Sequence, residues 1–107
     1  MQQAIDRAAL DDQTGGDADL AREVLALFAG QCRSILPRLA DPTVPADRRA
    51  DLAHTLKGSA AGVGAGRVHA LADAAELRLR AGEGVVPTDD LAAAVAAALA
   101  EIADEPA

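Results

Sequence analysis

The stretch that decides the fold is PADRRADLAHTLKGSAAG, which runs from Pro45 to Gly62. Proline suits the first position of a helix, where its missing N–H is not needed, and Asp47 complements the positive end of the helix dipole. The glycine-rich segment 62–66 that follows interrupts helical structure. The stretch therefore predicts a helix over 45–62, the third in chain order.

Glycine and proline residues divide the rest of the chain into further helical segments. A short first segment has Ile5 and Leu10 as apolar anchors, and Asp17 is a good N-cap for the long second helix. Pro37 lies inside the second helix, which leaves a kink or an early end near 33–36 open. The Thr88 hydroxyl and two aspartates are expected to cap the last helix. The predicted segments are 4–11, about 17–39, 45–62, about 65–81 and from 88 onward.

The composition favours helices throughout the chain. Half of the residues are hydrophobic and 28 are alanine, with one Phe and no Tyr or Trp. Alanine is the best helix former and a poor strand former. We therefore predict one all-α domain over residues 1–107, an up-down-up-down antiparallel four-helix bundle with a short additional N-terminal helix. The predicted core contains Leu20, Val24, Phe28, Leu52, Leu56, Leu71 and Leu99, and Leu27, Ile35 and Leu39 share the predicted buried face of the second helix.

Charge and cysteine content limit the classes of function. Acidic residues outnumber basic ones by 17 to 10, and the net charge of −7 repels nucleic acids and anionic membranes. The longest apolar run, 91–100, is shorter than the roughly 18 residues that a membrane helix needs, and no signal peptide is visible. The single Cys32 fits a reducing compartment, as a small buried residue. We expect a cytoplasmic monomer that binds neither nucleic acid nor membrane.

The third helix is expected to present His54 to solvent. At about 100° per residue, its large apolar residues fall on the side opposite the histidine. These predicted core residues are Leu52, Leu56 and Val63. The residues within about 60° of His54 are Lys57, Gly58, Ala61, Ala50 and Asp51, while Ser59 lies at the edge of the core face.

Two residues beside His54 are difficult to explain by stability. Gly58 occupies a mid-helix position where alanine would be favoured by about 1 kcal/mol, which suggests that a side chain would obstruct a partner. Lys57 is the only lysine, and its compact ammonium suits a phosphoryl group that comes and goes. An exposed histidine near a lysine is more commonly a solvated helix face, so this pattern alone leaves both interpretations open.

The motif His54-Thr55-Leu56-Lys57-Gly58-Ser59-Ala60 resembles the signature of the histidine phosphotransfer (HPt) domain, the intermediate of two-component phosphorelays. The family pattern reads His, any residue, Leu, Lys, Gly, Ser and a small residue. The resemblance covers nearly the whole chain, with a departure at Gly62, where many members carry asparagine. Further matching positions are Ile5, Asp6, Gly16, Asp17, Leu20, Phe28, Gly64, Val68, Leu71, Glu76, Arg80 and Gly82.

The resemblance implies a four-helix bundle that carries a phosphoryl group on His54 and exchanges it with an aspartate of a receiver domain. It also implies that Lys57 stabilises the phosphoryl oxygens and that Gly58 leaves room for the receiver. Two roles stay open for Ser59, which either supports the site by a local hydrogen bond or only caps a packing edge. The receiver is expected to supply Mg²⁺, so the chain itself needs no cofactor, metal site or ATP site and is not an enzyme on its own. Expected partners are receiver domains of response regulators or hybrid kinases, and a histidine kinase. The expected partner surface consists of Gly58, Ala61, Ala50 and Asp51.

Two other interpretations remain open. One is the phosphoacceptor and dimerisation module of a histidine kinase, although such modules place an acid directly after the histidine and a proline nearby. Here Thr55 follows the histidine, and the next proline is Pro87. The other is a helical bundle that binds a receiver without being phosphorylated. His69 is expected to be a partly exposed helix residue outside the site, and Glu76 to form a structural or surface ion pair.

Overall fold

Glycine, proline and aspartate residues set most helix boundaries close to where the sequence predicts them. The first helix is an exception, since the sequence predicts it over 4–11 but it runs over 7–14, between the caps Asp6 and Gly15. The computed structural model describes residues 3–104, and this range contains five helices and no strand, which confirms the all-α class. None of these five helices is long and apolar enough to cross a membrane. The helices are α1 (Arg7–Thr14), α2 (Ala18–Leu39), α3 (Ala46–Gly62), α4 (Gly66–Arg80) and α5 (Asp89–Ala103).

Aspartate side chains cap the first two helices. The Asp6 carboxylate accepts a hydrogen bond from an amide in the first turn of α1, and Gly15 ends this helix in a left-handed conformation with φ of 62°. Asp17 accepts hydrogen bonds from the amides of Asp19 and Leu20, at 3.0 and 3.1 Å. The predicted N-cap of α2 is therefore confirmed.

One helix end settles a question that the sequence left open, and two helix starts differ from the prediction. The second helix continues through Pro37 to Leu39, since the proline deprives only the Arg33 carbonyl of its helical partner and Arg33 is exposed to water. Pro45 is the residue before α3 and not its first helical residue. Thr88 precedes α5, but its hydroxyl forms no capping hydrogen bond. Its ψ of 4° is far from the extended conformation that turns a cap side chain back towards the first amides.

The four long helices contact one another in a ring. Each of α2, α3 and α4 contacts the next helix, α5 returns to α2, and α1 packs on α2. The predicted core residues Phe28 and Leu56 are buried, as is Cys32, whose thiol pKa is raised to about 11 by burial. Partly buried residues that pack against this core include the predicted Val24, Leu52, Leu71 and Leu99.

The buried face of α3 is rotated relative to the predicted one. Ala50, Ala53 and Ala60 are completely buried together with Leu56, whereas Leu52 is only half-buried. The prediction followed the large aliphatic residues, but the small alanine side chains allow α4 to pack closely on this side of α3. Ala50 therefore belongs to the core, and its predicted place on the partner surface is wrong.

The apolar stripe of α2 contains the predicted Phe28, Ile35 and Leu39, but Leu25 and Cys32 complete it in place of Leu20 and Leu27. Its buried members recur at spacings of three and four residues and are Leu25, Phe28, Cys32, Ile35 and Leu39. Leu20 and Leu27 are 40% and 69% exposed, so their predicted burial is wrong. Both residues lie about 80–100° around the helix from Phe28, on the flank of the buried stripe. The core thus leaves two large apolar side chains of α2 facing solvent.

The N-terminal segment is fastened to the turn between α3 and α4 and to α5. The Asp6 amide donates to the Gly64 carbonyl at 2.8 Å, and Gly64 has a φ of 75°. A Cβ on Gly64 would lie 2.6 Å from the Asp6 carbonyl oxygen, so both the backbone conformation and the space require glycine. The amides of Ala4 and Ile5 donate to the Glu101 carboxylate, and Ile5 is completely buried, as predicted.

The core assignment predicts different costs for two leucine truncations. Leu56→Ala removes a completely buried side chain and should lower the free energy of unfolding by about 2–5 kcal/mol. Leu27→Ala shortens an exposed side chain and should change it by no more than about 0.5 kcal/mol. Urea denaturation followed by circular dichroism measures both values. Equal losses in the two variants would contradict this core.

Candidate functional site

His54 lies in the middle of α3, and its imidazole faces solvent as the helical wheel predicts. The side chain is 65% exposed. Three of the residues predicted to surround it, Asp51, Gly58 and Ala61, are exposed as well. The imidazole is therefore accessible to a second protein across a surface of mostly small side chains.

Gly58 leaves open space one turn after His54. Among the described residues, no atom of another element lies within 4 Å of the position that a Cβ on Gly58 would occupy. Packing between helices therefore does not explain this glycine, although it costs about 1 kcal/mol of helix propensity relative to alanine. The space beside Gly58 is open to solvent and adjoins the exposed imidazole.

Glu76 of α4 reaches across to His54. Its Oε2 and Oε1 atoms lie 3.1 and 3.2 Å from His54 Nδ1, and its side chain is only 9% exposed. A carboxylate accepts hydrogen bonds but donates none, so the neutral imidazole carries its proton on Nδ1 and donates a hydrogen bond from this N–H to Glu76. Nε2 is then unprotonated, and its lone pair is available.

Two cations hold the Glu76 carboxylate in place. Lys57 Nζ lies 2.8 Å from Oε1, and Arg80 Nε donates to Oε2 at 2.9 Å. The hydrogen bond from Lys57, assisted by those from Arg80 and His54, lowers the pKa of Glu76 from 4.5 to about 2, against the opposing effect of burial. The same contact with Glu76 raises the pKa of the Lys57 ammonium. Glu76 is therefore ionised near neutral pH and remains an acceptor for His54.

Two further carboxylates pair with these cations. Asp73 Oδ1 lies 3.2 Å from Lys57 Nζ, and Asp51 Oδ1 lies 3.2 Å from Arg80 Nη2. We call Glu76, Lys57, Arg80, Asp73 and Asp51 the Glu76 network. Across residues 3–104, no group of three or more His, Cys, Asp and Glu side chains is placed to hold a metal ion.

Ser59 and His69 occupy other places on the two helices. Ser59 is half-buried and lines a groove of about 250 Å³ between α2 and α3, together with Phe28 and Gln31. His69 is half-buried, as expected, and its Nδ1 donates to the backbone carbonyl of Lys57 at 3.0 Å. Neither residue belongs to the Glu76 network.

Sequence reasoning missed the contacts of Glu76 and Arg80 with the site. An ion pair was expected for Glu76, and ion pairs are present, but the same carboxylate also binds His54. The available signal was the position of the acid 22 residues after the histidine, which matches the family pattern. This spacing could not reveal the contact, because the turn at 62–66 determines which sides of α3 and α4 face each other, and neither helix does so alone.

Comparison with known proteins points to one family. The family model for the Hpt domain matches residues 2–105. The crystal structure of histidine phosphotransferase ShpA from Caulobacter crescentus is similar, with a TM-score of 0.71 and 38% sequence identity. The match covers 94% of this chain and 88% of that one. No curated protein matches the chain.

The low pKa of Glu76 predicts a pH-dependent contribution to stability. Because the folded-state pKa of about 2 lies below the ordinary 4.5, the contribution is complete above about pH 4.5 and is lost as the pH falls towards 2. We expect the difference in unfolding free energy between the wild type and Glu76→Gln to shrink over this window. Chemical denaturation at a series of pH values measures it, and Glu23→Gln on the exposed side of α2 controls for the lost charge. A difference that stays constant from pH 4.5 to 2 would contradict the assigned ion pairs.

Proposed function

Since the chain belongs to the Hpt domain family, we propose that it is a phosphocarrier of two-component phosphorelays with His54 as its phosphoacceptor. The observation that carries this proposal is the contact of the Glu76 carboxylate with Nδ1 of an exposed imidazole. This contact leaves Nε2 as an unprotonated nucleophile that faces solvent. The matching histidine phosphotransferase supports the same class of function.

The proposed transfer step uses Nε2 of His54 and an aspartyl phosphate of a receiver domain. The Nε2 lone pair attacks phosphorus, an N–P bond forms, and the P–O bond to the aspartate breaks to release its carboxylate. The imidazole becomes cationic, and its Nδ1 proton remains hydrogen-bonded to Glu76, whose negative charge stabilises the cation. The reverse step passes the phosphoryl group to another receiver.

Lys57 is proposed to stabilise the phosphoryl oxygens. Its ammonium binds the same carboxylate as the imidazole, and the Lys57 side chain is 23% exposed, so the ammonium lies close to the site where negative charge arrives. The ammonium has three N–H donors, and Glu76 and Asp73 occupy two of them. A phosphoryl oxygen can accept from the third donor and compete with the two carboxylates for the others.

The partner is proposed to be a receiver domain of a response regulator or a hybrid kinase. Gly62 lies one turn after Gly58 on the same side of α3. It lines the groove between α2 and α3, which the exposed Leu27 also lines. The open surface beside His54 therefore continues onto the apolar flank of α2. We propose that an apolar patch of the receiver covers this groove when its aspartate meets Nε2.

The carrier role leaves the chemistry to be shared with the receiver, which we propose brings the Mg²⁺. We also propose that α2 to α5 run up-down-up-down, because each contacts the next helix and the connections between them are short. A histidine kinase module and a bundle that binds a receiver without being phosphorylated remain the alternatives. Labelling by a phosphorylated receiver without ATP distinguishes the carrier from a bundle that is not phosphorylated, and labelling that requires a kinase ATP-binding domain and ATP would indicate the kinase module.

The phosphoacceptor assignment predicts that His54→Gln abolishes labelling. Substitution of an exposed side chain should change the unfolding free energy by no more than about 0.5 kcal/mol. We expect no transfer from a ³²P-labelled receiver to His54→Gln and native transfer to His69→Gln. Labelling that persists in His54→Gln and disappears in His69→Gln would overturn the assignment.

The open space at Gly58 predicts opposite effects on stability and on transfer. Gly58→Ala should raise the unfolding free energy by up to about 1 kcal/mol, because alanine is the better helix former and its methyl group meets no other element. Gly58→Gln should also fold but should transfer the phosphoryl group more slowly, because its side chain obstructs the receiver. Thermal unfolding and single-turnover transfer measure the two effects.

Gly30→Gln is the matched control, because Gly30 is an exposed helical glycine with equally open space on the outer side of α2. Native transfer by Gly58→Gln would refute the clearance argument. Leu27→Asp tests the extension of the surface onto α2 and should raise the Kd for the receiver. Val85→Asp adds the same charge to an exposed apolar residue of the connection between α4 and α5 and should leave the Kd unchanged.

A further inference from the structure

Arg80 connects the site to the outer surface of both helices. Its Nε donates to Glu76 Oε2 at 2.9 Å, and its Nη2 donates to Asp51 Oδ1 at 3.2 Å. Asp51 lies on α3 one turn before His54, whereas Glu76 lies on α4. One guanidinium thus bridges the two helices that carry the imidazole and the carboxylate that orients it.

The two cations of the Glu76 network differ in role if Lys57 also binds the phosphoryl group. The Lys57 ammonium lies 2.8 Å from Glu76 Oε1 and 3.2 Å from Asp73 Oδ1. An arriving phosphoryl group competes with both carboxylates for this ammonium, because it brings a larger negative charge. When Lys57 is drawn towards the phosphoryl oxygens, Arg80 is the remaining cation that holds Glu76.

We propose that Arg80 is a positioning residue for phosphotransfer, which keeps Glu76 on His54 Nδ1 while Lys57 is drawn to the phosphoryl group. This inference rests on the proposed function of His54. Arg80 acts through Glu76, by fixing the carboxylate that decides which ring nitrogen holds the proton. Nε2 then stays available for attack throughout the transfer.

The shape of arginine matters for this role. The guanidinium is a rigid planar fork, so Nε and Nη2 can donate to two carboxylates on different helices at the same time. Lysine supplies the charge from a single nitrogen on a flexible chain and would not keep both contacts in this geometry. Arg80→Lys should therefore preserve part of the effect, and Arg80→Gln should lose it.

The first measurement is the tautomer of His54 in the unphosphorylated protein, by ¹⁵N NMR of the imidazole. The Nδ1–H form should dominate in the wild type. Its population should fall least in Arg80→Lys, further in Arg80→Gln and most in Glu76→Gln. Arg78→Gln is the matched control, since Arg78 is an arginine of α4 with similar exposure that pairs with Glu83. It should keep the wild-type tautomer.

The second measurement is single-turnover transfer from a phosphorylated receiver. Arg80→Gln should slow transfer about two- to fivefold, the range that a half-exposed ion pair can supply, with the Kd for the receiver unchanged.

The tautomer measurement is repeated in the Lys57→Ala background. There Arg80→Gln should reduce the Nδ1–H population more than it does alone, because no cation then holds Glu76. Circular dichroism verifies that each variant folds.

A wild-type tautomer in Arg80→Gln, in both backgrounds, would overturn the positioning role. So would a wild-type transfer rate in Arg80→Gln. The tautomer is measured without a phosphoryl donor, so it reports on Arg80 independently of the carrier role. Failure of every phosphorylated receiver to label the wild type would refute the proposed function and leave the tautomer result intact.

Discussion

A carboxylate that is almost buried between two helices must be paired with cations, and this requirement organises the surface around His54. Removing the Glu76 charge from water is costly unless close charged partners compensate. Lys57 from α3 and Arg80 from α4 meet this need, and each is held in turn by an outer aspartate. The acceptor capacity that remains on Glu76 is directed at the imidazole. The orientation of an exposed histidine thus follows from the electrostatic needs of a buried neighbour.

The helix boundaries could be predicted because they depend on local chemistry, but the rotation of each helix could not. Asp17 caps α2, and the chain turns between helices at glycines with positive φ, which are Gly15, Gly16, Gly64 and Gly82. In an alanine-rich chain, however, hydrophobicity distinguishes one helix face from another only weakly. Ala50 and Ala61 lie close together on the wheel of α3, yet Ala50 is completely buried and Ala61 is exposed. The difference arises from where α4 packs, which no single helix specifies.

The same limit divides the candidate site. His54, Lys57 and Gly58 share one helix, so their spacing alone predicts a common exposed region. Glu76 and Arg80 enter from α4, and their contacts depend on how the turn between the helices is built. That turn requires Gly64 at a positive φ against the backbone of the N-terminal segment, which is a contact between distant parts of the chain.

In the proposed docking geometry, the exposed Leu27 of α2 contributes to recognition but not to the chemistry. The Glu76 network lies entirely on α3 and α4, whereas Leu20 and Leu27 lie on α2 and contribute little to the core. Under the proposed docking geometry, a duplicated copy of this gene could change its signalling partner through substitutions on α2 alone. The reactivity of the histidine would pass unchanged to both copies. Insulation between two such pathways would then require only a few surface residues, with no new catalytic arrangement.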